Sequence, residues 1–246
     1  MYKDMMFLDS GENLINSSEI QSKMKVSENI SISDIELNNK EAKKIGKSKG
    51  KYITITFNKN KLSSELECLI DTICSSIKSI LDYLKLSNKC SVLFVGLGNK
   101  SFACDKFGNS IIEKISLSNK SFKIYKDVLA NTNIKSIDFI KSMSVLTDTD
   151  LVIVFDSLKA NHISRLGSTI QLATSGLSPG SAYSDKMSVI DKSSIKKPVI
   201  NIGVPTIINL KSIMSENPNL IVSTNDVDDL VSNLSSIISI AINRVF

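Results

Sequence analysis

Short, continuously apolar runs alternate with segments of helical period along most of this chain, and that alternation limits the fold more than any other feature. Val92–Val95 is apolar without interruption and stops at Gly96; Leu151–Phe155 is a second such run, followed directly by Asp156. Strands this uniformly apolar are buried on both faces, as in parallel sheets covered by helices. Leu62–Leu86 carries apolar side chains at three- and four-residue steps (Leu66, Leu69, Ile70, Ile73, Ile77, Ile80, Leu81, Leu84), the stripe of an amphipathic helix. The same periodicity predicts helices over Phe107–Leu117, Ile134–Leu146 and Val227–Val245, and strands over Phe122–Tyr125, Thr169–Leu172 and Val199–Ile202. Tyr52–Phe57 alternates in β-forming residues, and Asn29–Leu37 is strand-like. Lys40, Lys43, Lys44, Lys47, Lys49 and Lys51, with Gly46 and Gly50, read as a solvated turn. The expected fold is α/β: a mainly parallel sheet sandwiched by helices, with a small N-terminal β appendage near Ile15–Phe57. Residues 1–27 are polar and poorly periodic and are expected to be loose; 28–246 is expected to be a single domain.

Composition removes several function classes. With 246 residues and 42% hydrophobic content the chain suits one core. A net charge of +5, with both signs interspersed, gives no basis for direct nucleic-acid binding. No apolar run reaches the roughly 18 residues of a membrane span. Met1–Asp9 carries Asp4 and Asp9, unlike a secretory signal, so a cytosolic chain is expected. Cys68, Cys74, Cys90 and Cys104 form no CxxC pair and no metal-ligand spacing, which makes reduced thiols the default. His162 is the only histidine, so a multi-histidine zinc site cannot be built, and any Ser-His-Asp mechanism would have to use that residue. Neither a metal nor a cofactor is expected.

Two carboxylates hold the informative positions. In open α/β sheets functional groups gather where strands reach their carboxyl edge. Asp156 follows one strong strand directly, and Asp105 lies just past the other, beyond Gly96-Leu97-Gly98-Asn99. If the strands are neighbours, the two carboxylates converge. Like charges held close cannot both ionise easily, so the pair shares a proton, which is what a water-activating acid–base pair requires. Either aspartate taken alone reads equally well as a helix N-cap. The glycine turn fails the dinucleotide fingerprint, because Ser101 holds the third glycine position. Two further features are a long polar stretch, Arg165–Ser181, and Ile202-Gly203-Val204-Pro205-Thr206, a strand end followed by a constrained turn. Each is equally consistent with a purely structural role.

In chain order these segments resemble the germination protease (spore protease) family. The resemblance rests on Gly96-Leu97-Gly98-Asn99 with Asp105 and Gly108; on Asp156-Ser157-Leu158-Lys159-Ala160 with Arg165 and Ser168-Thr169-Ile170-Gln171; on Ser175-Gly176-Leu177-Ser178-Pro179-Gly180-Ser181; and on Pro198 through Thr206. It implies an endopeptidase that cleaves the small acid-soluble proteins coating DNA in dormant spores, in the cytoplasm of the forespore and spore core. It also implies Asp105 and Asp156 as an atypical catalytic pair, a zymogen that loses a short N-terminal segment, a homotetramer, and a fold similar to the hydrogenase maturation peptidases. Asn99, Arg165, Ser175, Gly176 and Gly180 are the residues expected to hold the peptide. The chain departs from the family at Cys104, where a proline commonly stands, at Asn161 for an arginine and at Thr174 for an aspartate; the Tyr125–Ile137 and Pro205–Pro218 connections are short. Two alternatives stay open: a hydrogenase-maturation-type peptidase using Asp105, Asp156 and His162 on a metal in its substrate, and a non-catalytic relative that binds spore proteins without cutting.

Overall fold

Apolar strands and amphipathic helices come together, in the computed structural model, as one mixed sheet with helices on both faces; residues 21–116, 118, 120–125, 134–177, 189–209 and 220–246 are described. The chain runs β1 (Gln21–Lys25), β2 (Ile30–Leu37), α1 (Asn39–Ile45), β3 (Gly50–Phe57), α2 (Leu66–Leu84), β4 (Val92–Gly96), α3 (Phe107–Lys114) and β5 (Ser121–Tyr125). It continues through α4 (Ser136–Leu146), β6 (Leu151–Ala160), β7 (Thr169–Ala173), α5 (Lys192–Ile195), β8 (Val199–Asn209), β9 (Ile221–Val222) and α6 (Val227–Val245).

The strand order is β1-β2-β3-β7-β8-β6-β4-β5, with β9 beside β8. From β8 through β6 and β4 to β5 every pairing is parallel. From β1 to β8 every pairing is antiparallel. The N-terminal meander β1–β2–β3 is the expected β appendage, and it joins the sheet through β3 and β7, from Tyr52↔Ala173 to Thr56↔Thr169.

Successive strand residues face opposite sides, so each central strand feeds two cores. Val92, Phe94, Ile153, Phe155, Ile200 and Ile202 pack with α2, α3 and α6. Leu93, Val95, Val152, Val154, Leu158 and Val199 pack on the other side, with Ala42 of α1, Ile140 of α4 and Ile195 of α5. The rings of Phe94 and Phe155 stack at 6.4 Å across β4 and β6. Each such side chain, fully buried, contributes about 1.5–3 kcal/mol. The stripe read from Leu66 to Leu84 is the buried face of α2, and α2 ends at Lys85 in the left-handed conformation (φ 59°). Among the described residues no helix is long and apolar enough to cross a membrane.

Several elements differ from the sequence reading. The lysine-rich turn is instead α1, because Asn38 accepts from the backbone of Glu41 while Glu41 reaches back to the Asn38 N–H, and Gly46 closes the helix at φ 62°. Residues 21–25 lie in the segment expected to be loose, yet they form β1 by pairing with Ser31–Ile35 of β2. β6 does not stop at Phe155, and β8 does not turn at Thr206; the two support each other to Ala160 and Ile208. Pro205 sits inside β8 where β7 pairing has ended at Gly203 and β9 pairing has not begun, so its missing N–H is tolerated on a one-sided stretch. Within the polar stretch from Arg165, by contrast, the expected strand at Thr169–Leu172 is present as β7.

Candidate active site

The carboxyl edge of the parallel strands is shaped by three close approaches. β4 and β6 pair in register up to Gly96↔Phe155, after which β4 turns away. The Leu97 N–H still donates to the Phe155 carbonyl at 2.9 Å. Gly108, in the first turn of α3, presses onto the same point: a Cβ there would stand 2.3 Å from the Phe155 carbonyl oxygen and 2.5 Å from that of Leu97. Only glycine lets the helix start this close to the strand ends. Gly98 lies at φ +101°, and a Cβ on it would fall 1.7 Å from the Asp105 carbonyl oxygen.

Those approaches wrap the 97–106 loop around Asp105. The Asn99 N–H donates to Asp105 Oδ2 at 2.9 Å. The Asn99 carboxamide oxygen accepts from the Ser101 N–H at 2.9 Å, and Asn109 Nδ2 donates to the Gly98 carbonyl at 3.2 Å. Phe102 N–H bonds back to Asn99, and Asp105 N–H to Phe102. Thr206 of β8 donates its hydroxyl to the Cys104 carbonyl at 2.6 Å, so the loop reaches from the end of β4 past β6 to β8. Lys100 pairs with Glu113 at 2.9 Å and lies 4.4 Å over the Tyr125 ring; Lys106 pairs with Asp228 of α6.

Asp156 is the first residue of β6 beyond the end of β4, and it is buried, at 6% exposure. Its neighbours Val154 and Leu158 belong to the core under α1, α4 and α5, so its side chain faces that side of the sheet. Its Oδ1 accepts from the Ser157 N–H at 2.9 Å. The N-cap reading holds for neither aspartate: Asp156 lies within a strand, and the N-cap position of α3 is Lys106. Both carboxylates stand at the carboxyl edge of adjacent parallel strands, one in a strand and one in a glycine-shaped loop.

The other candidates divide. Asn99 is in the loop around Asp105, exposed at its surface. Arg165 ends a 3₁₀ turn (Ile163–Arg165) just before β7, and its carbonyl accepts from the Ser168 N–H and the Thr169 hydroxyl. Ser175 and Gly176 are not brought to this edge. β7 runs antiparallel to β8, with Gln171 opposite Gly203 and Ala173 opposite Asn201, so the chain beyond it travels away from Asp156. At about 3.3 Å per strand residue, Ser175 stands on the order of 13 Å down the sheet from the Asp156 level. Ser175 is buried there, and Gly176 at φ +98° fits against Asp191 and Val189. Gly180 lies outside the described residues.

His162 is exposed and caps the 3₁₀ turn, its Nδ1 receiving the Ser164 N–H at 3.2 Å. Among the described residues no group of three or more His, Cys, Asp or Glu side chains could hold a metal ion. All four cysteines are free thiols, and burial pushes those of Cys74 and Cys90 up from their ordinary pKa.

Four positions of this region lie in segments the sequence singled out, but without a role of their own. Gly203 of β8 stands opposite Asp156 on one side and Gln171 on the other. Gln171 and Asn201 are 2% and 0% exposed, and neither carboxamide finds a hydrogen-bond partner. Thr206 is the extra residue of a bulge, where the register passes from Leu158↔Pro205 to Lys159↔Ile207. The readable signal was a carboxamide set in the middle of each of two apolar strands, Thr-Ile-Gln-Leu-Ala and Val-Ile-Asn-Ile-Gly.

A family model for germination proteases matches residues 3–224 of the chain. A germination protease from Geobacillus sp. is 31% identical over 209 residues, 78% of this chain and 56% of that protein. The germination protease of Priestia megaterium is 28% identical over 226 residues, 84% of this chain and 61% of its own. The chain thus spans little more than half the length of these relatives. Among solved structures, a NiFe hydrogenase maturation protease from Thermococcus kodakarensis overlaps 62% of this chain and 92% of its own, at 14% identity and a TM-score of 0.37. At that score the likeness carries no weight here.

Proposed function

The chain belongs to the germination protease family, and from that premise we propose that it is an endopeptidase whose chemistry is carried by Asp105 and Asp156. Its proposed substrates are the small acid-soluble proteins that coat DNA in dormant spores, met in the cytoplasm of the forespore and spore core. We also propose the family's zymogen processing and tetrameric assembly for it, with no direct contact to nucleic acid or membrane.

The observation that supports the reading is that two acidic residues lie at one edge: Asp156 just past the end of β4, and Asp105 in the loop that Gly98 and Gly108 press onto that end. Asp156 is buried to 6% exposure and accepts the Ser157 N–H, as a buried carboxylate requires. In the proposed reaction one ionised aspartate takes a proton from water as the water oxygen bonds to the scissile carbonyl carbon. The other, protonated, gives its proton to the departing nitrogen as the C–N bond breaks. The two roles are assigned to the couple and not to either residue alone. Asn99, whose backbone holds Asp105, and Arg165, at the same edge, are the proposed peptide-holding residues.

The test incubates purified protein with a small acid-soluble spore protein and reads fragments by mass spectrometry. Cleavage at a defined site by the wild type, lost in both Asp105→Asn and Asp156→Asn with the fold retained by circular dichroism, is the expected result. Undiminished cleavage by both variants would sink the two-aspartate reading.

A further inference from the structure

Gln171 and Asn201 present an unusual combination: two carboxamides, essentially inaccessible to solvent, with all four polar atoms unpartnered among the described residues. Each buried polar group left without a hydrogen bond costs about 1–3 kcal/mol, so an arrangement like this persists where something beyond the described residues satisfies it.

Their place in the sheet says what that something is. Ile170 and Leu172 flank Gln171, and Ile200 and Ile202 flank Asn201; all four pack toward α2, α3 and α6, so both carboxamides point to the opposite side. Asp156 points to that same side, between Val154 and Leu158. The register sets Gln171, Gly203 and Asp156 in one row across β7, β8 and β6. Asn201 lies two residues before Gly203 on β8, and Leu158 leans in from the carboxyl edge, its side chain 2.6 Å from where a Gly203 Cβ would be. The Leu158 side chain thus lies over Gly203, with Gln171, Asp156 and Asn201 around it on the same side of the sheet.

Two carbonyl oxygens and two NH₂ groups are carried on that side beside Asp156. An anion would use only the donors and a cation only the acceptors, leaving the other half orphaned. Water donates and accepts, and a buried water is typically held by two to four such groups. Water is also the co-substrate of peptide hydrolysis. We propose that Gln171 and Asn201 hold ordered water beside Asp156, and that Gln171 is a positioning residue for the water that attacks the scissile carbonyl. This rests on the protease reading above. The step is unchanged in its balance: the water proton passes to the ionised carboxylate, and Gln171 fixes the direction of the oxygen lone pair.

A high-resolution crystal structure of the wild type, and steady-state kinetics of Gln171→Met on a small acid-soluble spore protein, test it. The expected crystal shows an ordered water within hydrogen-bond distance of both the Gln171 carboxamide and the Asp156 carboxylate. Methionine matches the length of glutamine without its hydrogen bonds; it should lower kcat by about tenfold to a hundredfold, the cost of a misplaced reactant, with KM unchanged. A purely structural glutamine would show no such split. A dry space in a wild type that cleaves, or a full kcat in Gln171→Met, overturns this inference alone. A bridging water in a wild type that cleaves nothing overturns the protease reading and the positioning role together. Should Gln171→Met fail to fold, the wild-type crystal still decides, because a dry space is fatal by itself.

Discussion

The two faces of β6, β7 and β8 are made by the same strands at the same burial, yet their chemistry is opposite. Toward α2, α3 and α6 stand Phe155, Ile153, Ile170, Leu172, Ile202 and Val204, all hydrocarbon. Toward α1, α4 and α5 the same strands present Asp156, Gln171, Asn201 and the bare Gly203. Among the described residues of these strands, the first face leaves only the Ser157 hydroxyl without a partner. The second carries a buried acid and four orphaned carboxamide atoms. Both sides of the sheet bury hydrocarbon, but a cost that packing alone does not explain is concentrated on the second, at the edge where Asp105 also arrives. Strain and unmet polarity tolerated in one place point to function there.

The largest effect that separates the faces is on activity. Asp156→Asn should reduce cleavage by roughly a thousandfold, within the usual range for removal of a general acid or base, while its melting temperature stays near that of the wild type. Asp105→Asn should do the same, since an asparagine oxygen can still accept the Asn99 N–H and keep the loop closed. Cleavage lost in one variant and kept in the other would reduce the pair to a single acid. Next comes the hydrocarbon face. Phe155→Ala removes a ring that stacks on Phe94, and should cost about 3–5 kcal/mol in denaturant unfolding. Both variants concern adjacent residues, so a comparable loss of stability in Asp156→Asn would break the contrast.

Much of this was legible in the sequence, and the limit falls where local pattern ends. α2, α6, β4 and β6 follow from periodicity, because burial repeats at a fixed step along the chain. The two aspartates followed from the same runs. α1 was hidden because its lysines outnumber the capping box of Asn38 and Glu41, although that box is a local signal. The rest is non-local. Nothing within Thr169–Ala173 tells whether the strand runs with or against β8, and that direction alone takes Ser175 and Gly176 away from the aspartates. The alternation that puts Gln171 and Asn201 on one face is readable, but their row with Asp156 exists only through pairing across three strands.

Gly203 tests whether the space between the polar groups matters. In Gly203→Ala the new Cβ meets Leu158 Cδ1 and Cγ at 2.6 Å, and the flexible end of that side chain must move. The expected cost is about 1–3 kcal/mol by thermal melting, typical of a methyl forced into a packed site. Because Leu158 would shift within the space beside Asp156, kcat should fall as well. A variant that loses stability but keeps full kcat would separate the packing over Gly203 from the chemistry.

The smallest effect is the sharpest in sign. Ile202 and Asn201 are neighbours in β8, both buried, on opposite faces. Ile202→Ala should cost about 2–5 kcal/mol, through lost transfer energy and the cavity it leaves. Asn201→Ala removes atoms too, but those atoms have no partner among the described residues, and water held in their place comes at an entropic cost. The row on either side of it is Ala173 and Val154, so an alanine joins an apolar row and does not interrupt it. The expected change is a gain of about 0.5–1 kcal/mol, seen as a higher denaturation midpoint at an unchanged slope. Two truncations one residue apart would then move stability in opposite directions. If Asn201→Ala were instead destabilising by as much as Ile202→Ala, the carboxamide would be part of the packing, and the division of labour between the two faces would fail at its most buried point.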